Sequence, residues 1–365
     1  MKQIIYFFLL LSLSVACKQS DERESEGKKQ LGMIIDNTVT ADVQTTPVPQ
    51  SNNEDAADDP AIWIHPSSPE KSIIFGTDKK GGLVSYNLDG EQQAYYPIGK
   101  TNNVDVRQQV VMGNDTLDIL ACTNRSTHSI SIAKINADGS LQFYDAADLT
   151  AETKGEVYGF CLYHSVDGQL YAFLNSKEGE VEQWLLEGQG DNISGSIVRS
   201  FTMKSQTEGM VADDAHGIIY LGVEKRGIYK FQADPSVPVT GAYIKRSKPR
   251  RNKYIVGDIE GLAIYKNPST CESYLIASSQ GNYSYAVFDL RGDNCYLFSF
   301  RIEGDQIDGV EETDGIELVP FYLSEDFPDG MLIVQDGYNR NATEVLLAQN
   351  FKYIDWRKIG ALVEN

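Results

Sequence analysis

Short apolar runs rich in β-branched and aromatic residues, broken by Gly, Asp and Asn, recur along the chain. Examples are AIWIH (61–65), SIIFGT (72–77), GLVSYNL (82–88), DILACT (118–123), LYAFLN (170–175), GIIYLGV (217–223), SYLIASS (273–279), SYAVFDL (284–290) and GMLIVQ (330–335). Their lengths and flanking turn residues predict strands. Helical periodicity is nearly absent, and the longest helix-compatible stretch, itself short, follows Asn341.

The strands group into units. A polar or acidic residue precedes an apolar strand in DDPAIW (58–63), NNVDV (102–106), EVYGF (156–160), QTEGM (206–210), DIEGL (258–262) and TDGIE (313–317). With Asp58, Asp105, Tyr158, Glu208, Asp258 and Asp314 as markers, the separations are 47, 53, 50, 50 and 56 residues. A second set lies where the next strand of each unit ends: Asp78-Lys79, Asn124-Arg125, Lys177-Glu178, Glu224-Lys225, Gln280-Gly281-Asn282 and Gln335-Asp336. Six units with room for four strands each predict an all-β, six-bladed β-propeller of four-stranded antiparallel blades over 37–365. A β-sandwich or a pair of barrels explains the doubled register of motifs less well. The TVTADVQT segment (38–45) belongs to no unit and is expected to close the ring.

The first strand of a blade lines the channel and the second runs antiparallel beside it, so both motif sets should meet at one mouth. The first set brings Asp58, Asp59, Asp105, Glu208, Asp258, Glu260 and Asp314 there; the second adds Glu224 and Asp336. So many carboxylates repel one another unless a cation joins them. Hard oxygen ligands without His or Cys favour several Ca²⁺ ions over zinc. Lys79, Lys80, Arg125, Lys177 and Lys225 are interleaved with these acids and match the oxygens of phosphate groups. KRSKPRRNK (245–253) leads into DIEGL, so it too should lie at the mouth. No GxSxG, P-loop or HExxH motif is present. His65, His128, His164 and His216 fall outside both motif sets and are expected to be structural.

Composition and charge alter this picture in one respect. The 365 residues carry 32 Lys+Arg against 52 Asp+Glu, a formal net charge of -20. That balance argues against nucleic acid as a partner. It also argues against an anionic substrate, until the acids are read as metal ligands that reverse the local sign.

The N-terminus carries different information. Lys2, the apolar stretch Ile4 to Leu13 and the small residues Ser14-Val15-Ala16 read as a lipoprotein-type signal peptide (1–16), with Cys17 as the lipidation site. This ten-residue stretch is too short to span a bilayer. Residues 17–36 form the anchor site and a polar tether. The mature chain is therefore expected to be exported, monomeric, and anchored to a membrane only through its lipid, facing the periplasm or the cell surface. In that compartment Cys271 and Cys295, which flank strands of one sheet, are expected to bridge. Cys122 and Cys161 are expected to be buried thiols.

The motifs ADDPAIW, TDKKGGLVSYNLDG, KTNNVDVR, EVYGFCLYH, KEGEVEQW, MKSQTEGMVADD, GDIEGLAIY, LIASSQGNYSYAVF, TDGIELV, VQDG and QNFKYIDW together resemble the β-propeller phytases, alkaline calcium-dependent 3-phytases. The similarity runs in order from about residue 38 to the C-terminus. It implies hydrolysis of phosphomonoesters of myo-inositol hexakisphosphate, taken as its calcium complex, by metal-activated water. It implies a catalytic set of Tyr158, Glu208, Glu224, Asp258, Glu260 and Asp314, with Asp58 among the calcium ligands. Lys79, Lys80, Arg125 and Lys177 would hold phosphate. Asp59, the NNVD segment, Asp308 and Asp336 become candidates for tighter, structural calcium. The strand end YLGVEKRG departs from the family pattern, since Lys225 stands where a second acid is common. A calcium-dependent lactonase and a non-catalytic binding propeller are the alternatives, and the cationic set disfavours the first.

Overall fold

The computed structural model describes residues 35–49, 55–145, 149–189 and 192–363. The expected signal peptide, Cys17 and nearly all of the tether lie outside these residues. Two short N-terminal strands, β1 (Thr38–Val39) and β2 (Val43–Gln44), precede six sheets. Blade one is β3 (Ala57–Trp63), β4 (Ile73–Asp78), β5 (Gly82–Tyr86) and β6 (Gln92–Tyr96). Blade two is β7 (Thr101–Met112), β8 (Asp115–Asn124), β9 (Ser129–Ile135) and β10 (Leu141–Phe143). Blade three is β11 (Val157–His164), β12 (Leu170–Ser176), β13 (Glu180–Gln189) and β14 (Asn192–Thr202). Blade four is β15 (Met210–Asp213), β16 (Ile218–Val223), β17 (Gly227–Gln232) and β18 (Ala242–Tyr243). Blade five is β19 (Ile259–Lys266), β20 (Ser273–Ser279), β21 (Ser284–Asp289) and β22 (Tyr296–Ile302). Blade six holds β23 (Ile316–Val319), β24 (Met331–Asp336) and β25 (Asn350–Asp355).

The first strands of successive blades touch all the way round, with β23 returning to β3. This is the six-bladed propeller that the repeat predicts. Apolar side chains fill the wedges between blades: Val110, Ile119 and Phe160 between blades two and three, and Tyr86, Met331 and Phe351 between six and one. Blade six takes its fourth strand from β2, which pairs antiparallel with β25 through Val43↔Tyr353 and Gln44↔Lys352. The 38–45 segment thus closes the ring as expected. In addition, β1 adds a parallel fifth strand to the edge of blade five. A C-terminal helix, α1 (Trp356–Val363), is the only α-helix among the described residues, and Trp356 stacks on Tyr265 at 3.7 Å between ring centroids.

Two sequence expectations about cysteine separate here. Cys122 and Cys161 are buried free thiols, as expected. Cys271 and Cys295 are also free and both exposed, so the expected bridge is absent. Cys271 sits in the β19–β20 turn and Cys295 just before β22, while β21 lies between β20 and β22. At roughly 4.8 Å per strand spacing, that intervening strand holds the cysteines beyond the reach of a disulfide.

Candidate active site

Four of the six inner strands carry a β-bulge at the same height. The pairing register shifts between Ala57 and Pro60, Thr101 and Val104, Val157 and Phe160, and Ile259 and Leu262. A bulge re-aims side chains at a sheet edge. Here the bulged segments contain Asp58, Asn102, Tyr158 and Glu260. Glu208 and Asp314 stand at the equivalent height, two residues before the first pairs of β15 and β23.

The glycine in four of the motifs has a matching role. A Cβ on Gly159 would lie 2.0 Å from Glu208 O, and one on Gly209 would lie 2.2 Å from Glu260 O. A Cβ on Gly261 would lie 2.6 Å from Asp314 O, and one on Gly315 would lie 2.6 Å from Asp58 O. Each glycine therefore lets the next blade's site residue come close. Gly261 N donates to Asp314 O at 2.6 Å, and Gly315 N to Asp58 O at 2.9 Å.

These contacts bring the acids together at the mouth. Glu208, Glu224 and Glu260 each offer a carboxylate oxygen within 4.8 Å of the others. Asn102 Nδ2 donates to Glu208 Oε1 at 3.1 Å and to Asp58 Oδ1 at 3.3 Å. Lys79 Nζ lies among Asp55 (2.6 Å), Asp314 (2.9 Å) and Asp58 (3.1 Å). Gln280 Nε2 donates to Asp314 Oδ1 at 2.7 Å. Asp258 enters the group through its repulsion of Glu224.

Burial is the leading cause of the electrostatics here. It raises the carboxyl groups of Asp58, Glu208, Glu260 and Asp314 above their usual range, and mutual repulsion adds to it. Glu224 is pushed up to about 7 by burial and by Asp258. Burial works against a charged Lys79, but Asp314, Asp58 and Asp55 outweigh it and keep the ammonium protonated. Burial, Glu208 and Asp58 hold the Tyr158 phenol far above its ordinary range, so it remains a hydrogen-bond donor.

A second group forms the rim. Arg125 Nη2 and Lys177 Nζ both reach Glu156 Oε2 at 2.8 Å, and Arg125 Nη1 donates to Asn102 Oδ1 at 3.2 Å. The Lys177 ammonium also lies 5.0 Å from the centre of the Tyr158 ring. Burial favours protonated Glu156, but hydrogen bonds from the two cations prevail and hold it at about 2. Beside the ring, a cleft of 690 Å³ is lined by Asp55, Lys80, Gln280, Glu312, Asp314 and Tyr338.

Other expected members lie elsewhere. Asp105 does not reach the mouth, because Asn102 holds the site position of β7 and Asp105 lies beyond the bulge, deeper in the channel. There it pairs with Arg107 (2.7 Å), which also meets Asp214 (2.8 Å). Asp59 shares that deeper layer, where its Oδ2 accepts Val104 N at 3.1 Å. Burial and nearby Asp105 raise Glu317 in the same layer to about 8. Asp308 and Asp336 lie off the ring, joined by the fully buried Lys352 ammonium at 2.6 and 2.8 Å. Lys225 is exposed beside Glu224.

Sequence reasoning missed Asn102, Glu156 and Lys352 as individual residues, and it placed Gln280 at the mouth without a role. Asn102 could have been found by aligning the motifs on their apolar strands instead of their acids. Lys352 sits in the strand NFKYID, which carries no such signal.

A phytase family model matches residues 8–365. The chain belongs to the phytase family. A relative within reach of this phytase-family chain is the 3-phytase of Bacillus subtilis (strain 168), 42% identical over 329 residues that cover 88% of this chain and 84% of the relative. Among solved structures, a calcium-binding protein, regucalcin, from Agrobacterium tumefaciens aligns with a TM-score of 0.54 at 10% identity, covering 87% of this chain and 95% of that one. That likeness concerns the fold of the phytase-family chain alone.

Proposed function

We propose that the chain is a calcium-dependent phytase that releases inorganic phosphate from myo-inositol hexakisphosphate. Family membership and the 3-phytase relative support the activity. The observation that carries the reading is the Glu208–Glu224–Glu260 set, together with two buried acceptor oxygens, Glu224 Oε1 and Glu260 Oε2, that have no hydrogen-bond partner. Buried carboxylate oxygens without donors are costly, and an oxygen-seeking cation is the partner that suits them. The donor set fits Ca²⁺, with Asp58, Asp258 and Asp314 at hand to complete it; bound there, the ion would supply positive charge against the phosphate and lower the pKa of a water.

The chain's own residues supply the rest. Arg125 and Lys177, which meet on one carboxylate oxygen, are placed to grip two oxygens of a phosphate group. The protonated Tyr158 phenol can donate a hydrogen bond to the charge that develops on phosphorus-bound oxygen. Lys79 offsets the charge of Asp58 and Asp314 and holds them in place. No side-chain nucleophile is required: a water oxygen forms the new bond to phosphorus as the ester bond breaks, and the inositol oxygen leaves as an alcohol.

The cellular setting belongs to the same proposal. The chain is read as a monomeric, exported lipoprotein anchored through Cys17, on the strength of the N-terminal pattern of residues 1–17. Phosphate release from inositol hexakisphosphate across a Ca²⁺ titration tests the activity. No release at any calcium concentration rejects it. Membrane partition of the wild type against Cys17→Ser tests the anchor.

A further inference from the structure

The basic segment 245–253 leaves β18 at the outer edge of blade four and crosses the mouth face to reach β19 of blade five. Its path is pinned at several points. Ser247 Oγ accepts Ile228 N and donates to Ile244 O, both at 2.8 Å. Asn252 is buried, and its Nδ2 donates to Arg246 O at 3.0 Å while its backbone N donates to Lys248 O at 3.1 Å. Beyond the segment, Val256 N donates to Ser279 Oγ at 2.9 Å, and Tyr254 stacks on Tyr296. Pro249 Cγ lies 3.8 Å from where a Gly257 Cβ would stand, as does Lys225 Cα. The apex of the loop therefore borders the turn that carries Glu224 and the residue that precedes Asp258.

The side chains of this fixed loop point to a ligand. Lys245, Arg246, Arg250, Arg251 and Lys253 are exposed, and none has a carboxylate partner among the described residues. The mouth cations Lys79, Arg125 and Lys177 are, by contrast, each ion-paired. In a chain of net charge -20, so many cations without a carboxylate partner on one pinned loop are a concentrated positive field beside the candidate site. Exposed Lys225 and Arg226 extend that field toward Glu224.

We propose that loop 245–253, with Lys225 and Arg226, is a docking site for the outlying phosphate groups of a polyphosphorylated substrate whose reacting phosphate sits at the carboxylate ring. The inference rests on the phytase reading and adds a selectivity: substrates with many phosphates are captured, and products that have lost several are released. Lys and Arg heads match phosphate oxygens, and the pinned backbone spares part of the entropy of ordering the loop.

The test is a variant with Arg246, Arg250, Arg251 and Lys253 each changed to Gln, compared with wild type in the presence of Ca²⁺. KM for inositol hexakisphosphate should rise several-fold at low salt, and the difference between the two proteins should shrink as salt is added. KM for an inositol monophosphate and kcat for both substrates should stay unchanged. An equal KM change for both substrates, or no change for either, overturns the proposal. Wild-type binding to anionic phospholipid vesicles with no KM effect in the variant assigns the loop to a membrane surface and also overturns it. If neither substrate is turned over, the phytase reading fails by itself. Calorimetric binding of inositol hexakisphosphate then decides the loop: weaker binding by the variant supports docking, and equal binding rejects it.

Discussion

Arg125 and Glu156 meet at 2.8 Å, on the same carboxylate oxygen that Lys177 reaches. Glu156 thus stands where a phosphate oxygen would be held by the two cations. Replacing it with Gln removes the competing charge. Glu156→Gln should strengthen inhibition by inorganic phosphate several-fold, as read from product-inhibition kinetics. Arg125→Ala should act in the opposite sense and raise KM by about tenfold or more, since a hydrogen bond to a charged group contributes roughly 1.5–3 kcal/mol. A Glu156→Gln enzyme with weaker phosphate inhibition would refute the competition.

The carboxylate set should matter for turnover and for calcium together. Glu208→Gln and Asp314→Asn should each lower kcat by orders of magnitude while leaving the circular dichroism spectrum unchanged. They should also narrow the gap between melting temperatures in calcium and in chelator, because a ligand stabilises only the state that binds it. A wild-type melting temperature indifferent to chelator would contradict the calcium reading.

Acidity should act through the same groups. Glu224 rises in the fold from a usual 4.5 to about 7, so the folded chain binds more protons than the unfolded one between those values. Without calcium, stability from this group should therefore fall as pH rises from about 4.5 to about 7, the reverse of a salt-bridged carboxylate. Protons compete with the cation, so the calcium needed for half-maximal activity should increase below about pH 7. Melting curves and calcium titrations at a series of pH values check both signs.

Lys352 is the pivot of a separate structural cluster. Its ammonium is fully buried and receives contacts from Asp308 Oδ1, Asp336 Oδ2, Asp308 O and Gly309 O. Lys352→Met leaves two carboxylates without their counter-charge and should cost about 3–5 kcal/mol of stability, the range for a broken buried pair. Denaturant unfolding measures it. A loss below 1 kcal/mol, with or without calcium, would show that the cluster is neutralised in another way.

How far the molecule could be read in advance differs between its parts. The propeller was legible because each blade repeats a short pattern of apolar strands, and periodicity survives variation in individual residues. The mouth acids Asp58, Glu208, Glu260 and Asp314 were legible because they occupy one register of that repeat. Asp105 misled because the motifs were aligned on their acids: Asn102 holds the site register of blade two, and Asp105 lies further along the same strand, past the bulge that blades one, three and five share. Glu156 escaped notice because its meaning depends on Arg125 and Lys177, which come from neighbouring blades two and three. The free state of Cys271 and Cys295 follows from a strand between them, a fact of lateral order and not of sequence distance.

The pairing of β2 with β25 sets the order in which the chain can be completed. Val43 emerges among the earliest residues, yet its partner Tyr353 is among the last. Until the C-terminal strands arrive, β2 has no sheet to join and the inner ring stays open, so this first strand must wait for the rest of the domain. Contacts of such separation fold slowly and leave strand edges exposed meanwhile. Linking Val363 back to Ile35 and cutting instead at the exposed turn near Gly168, between β11 and β12, would make the closing strand pair local. Such a rearranged chain should refold faster than the natural one while reaching the same ring.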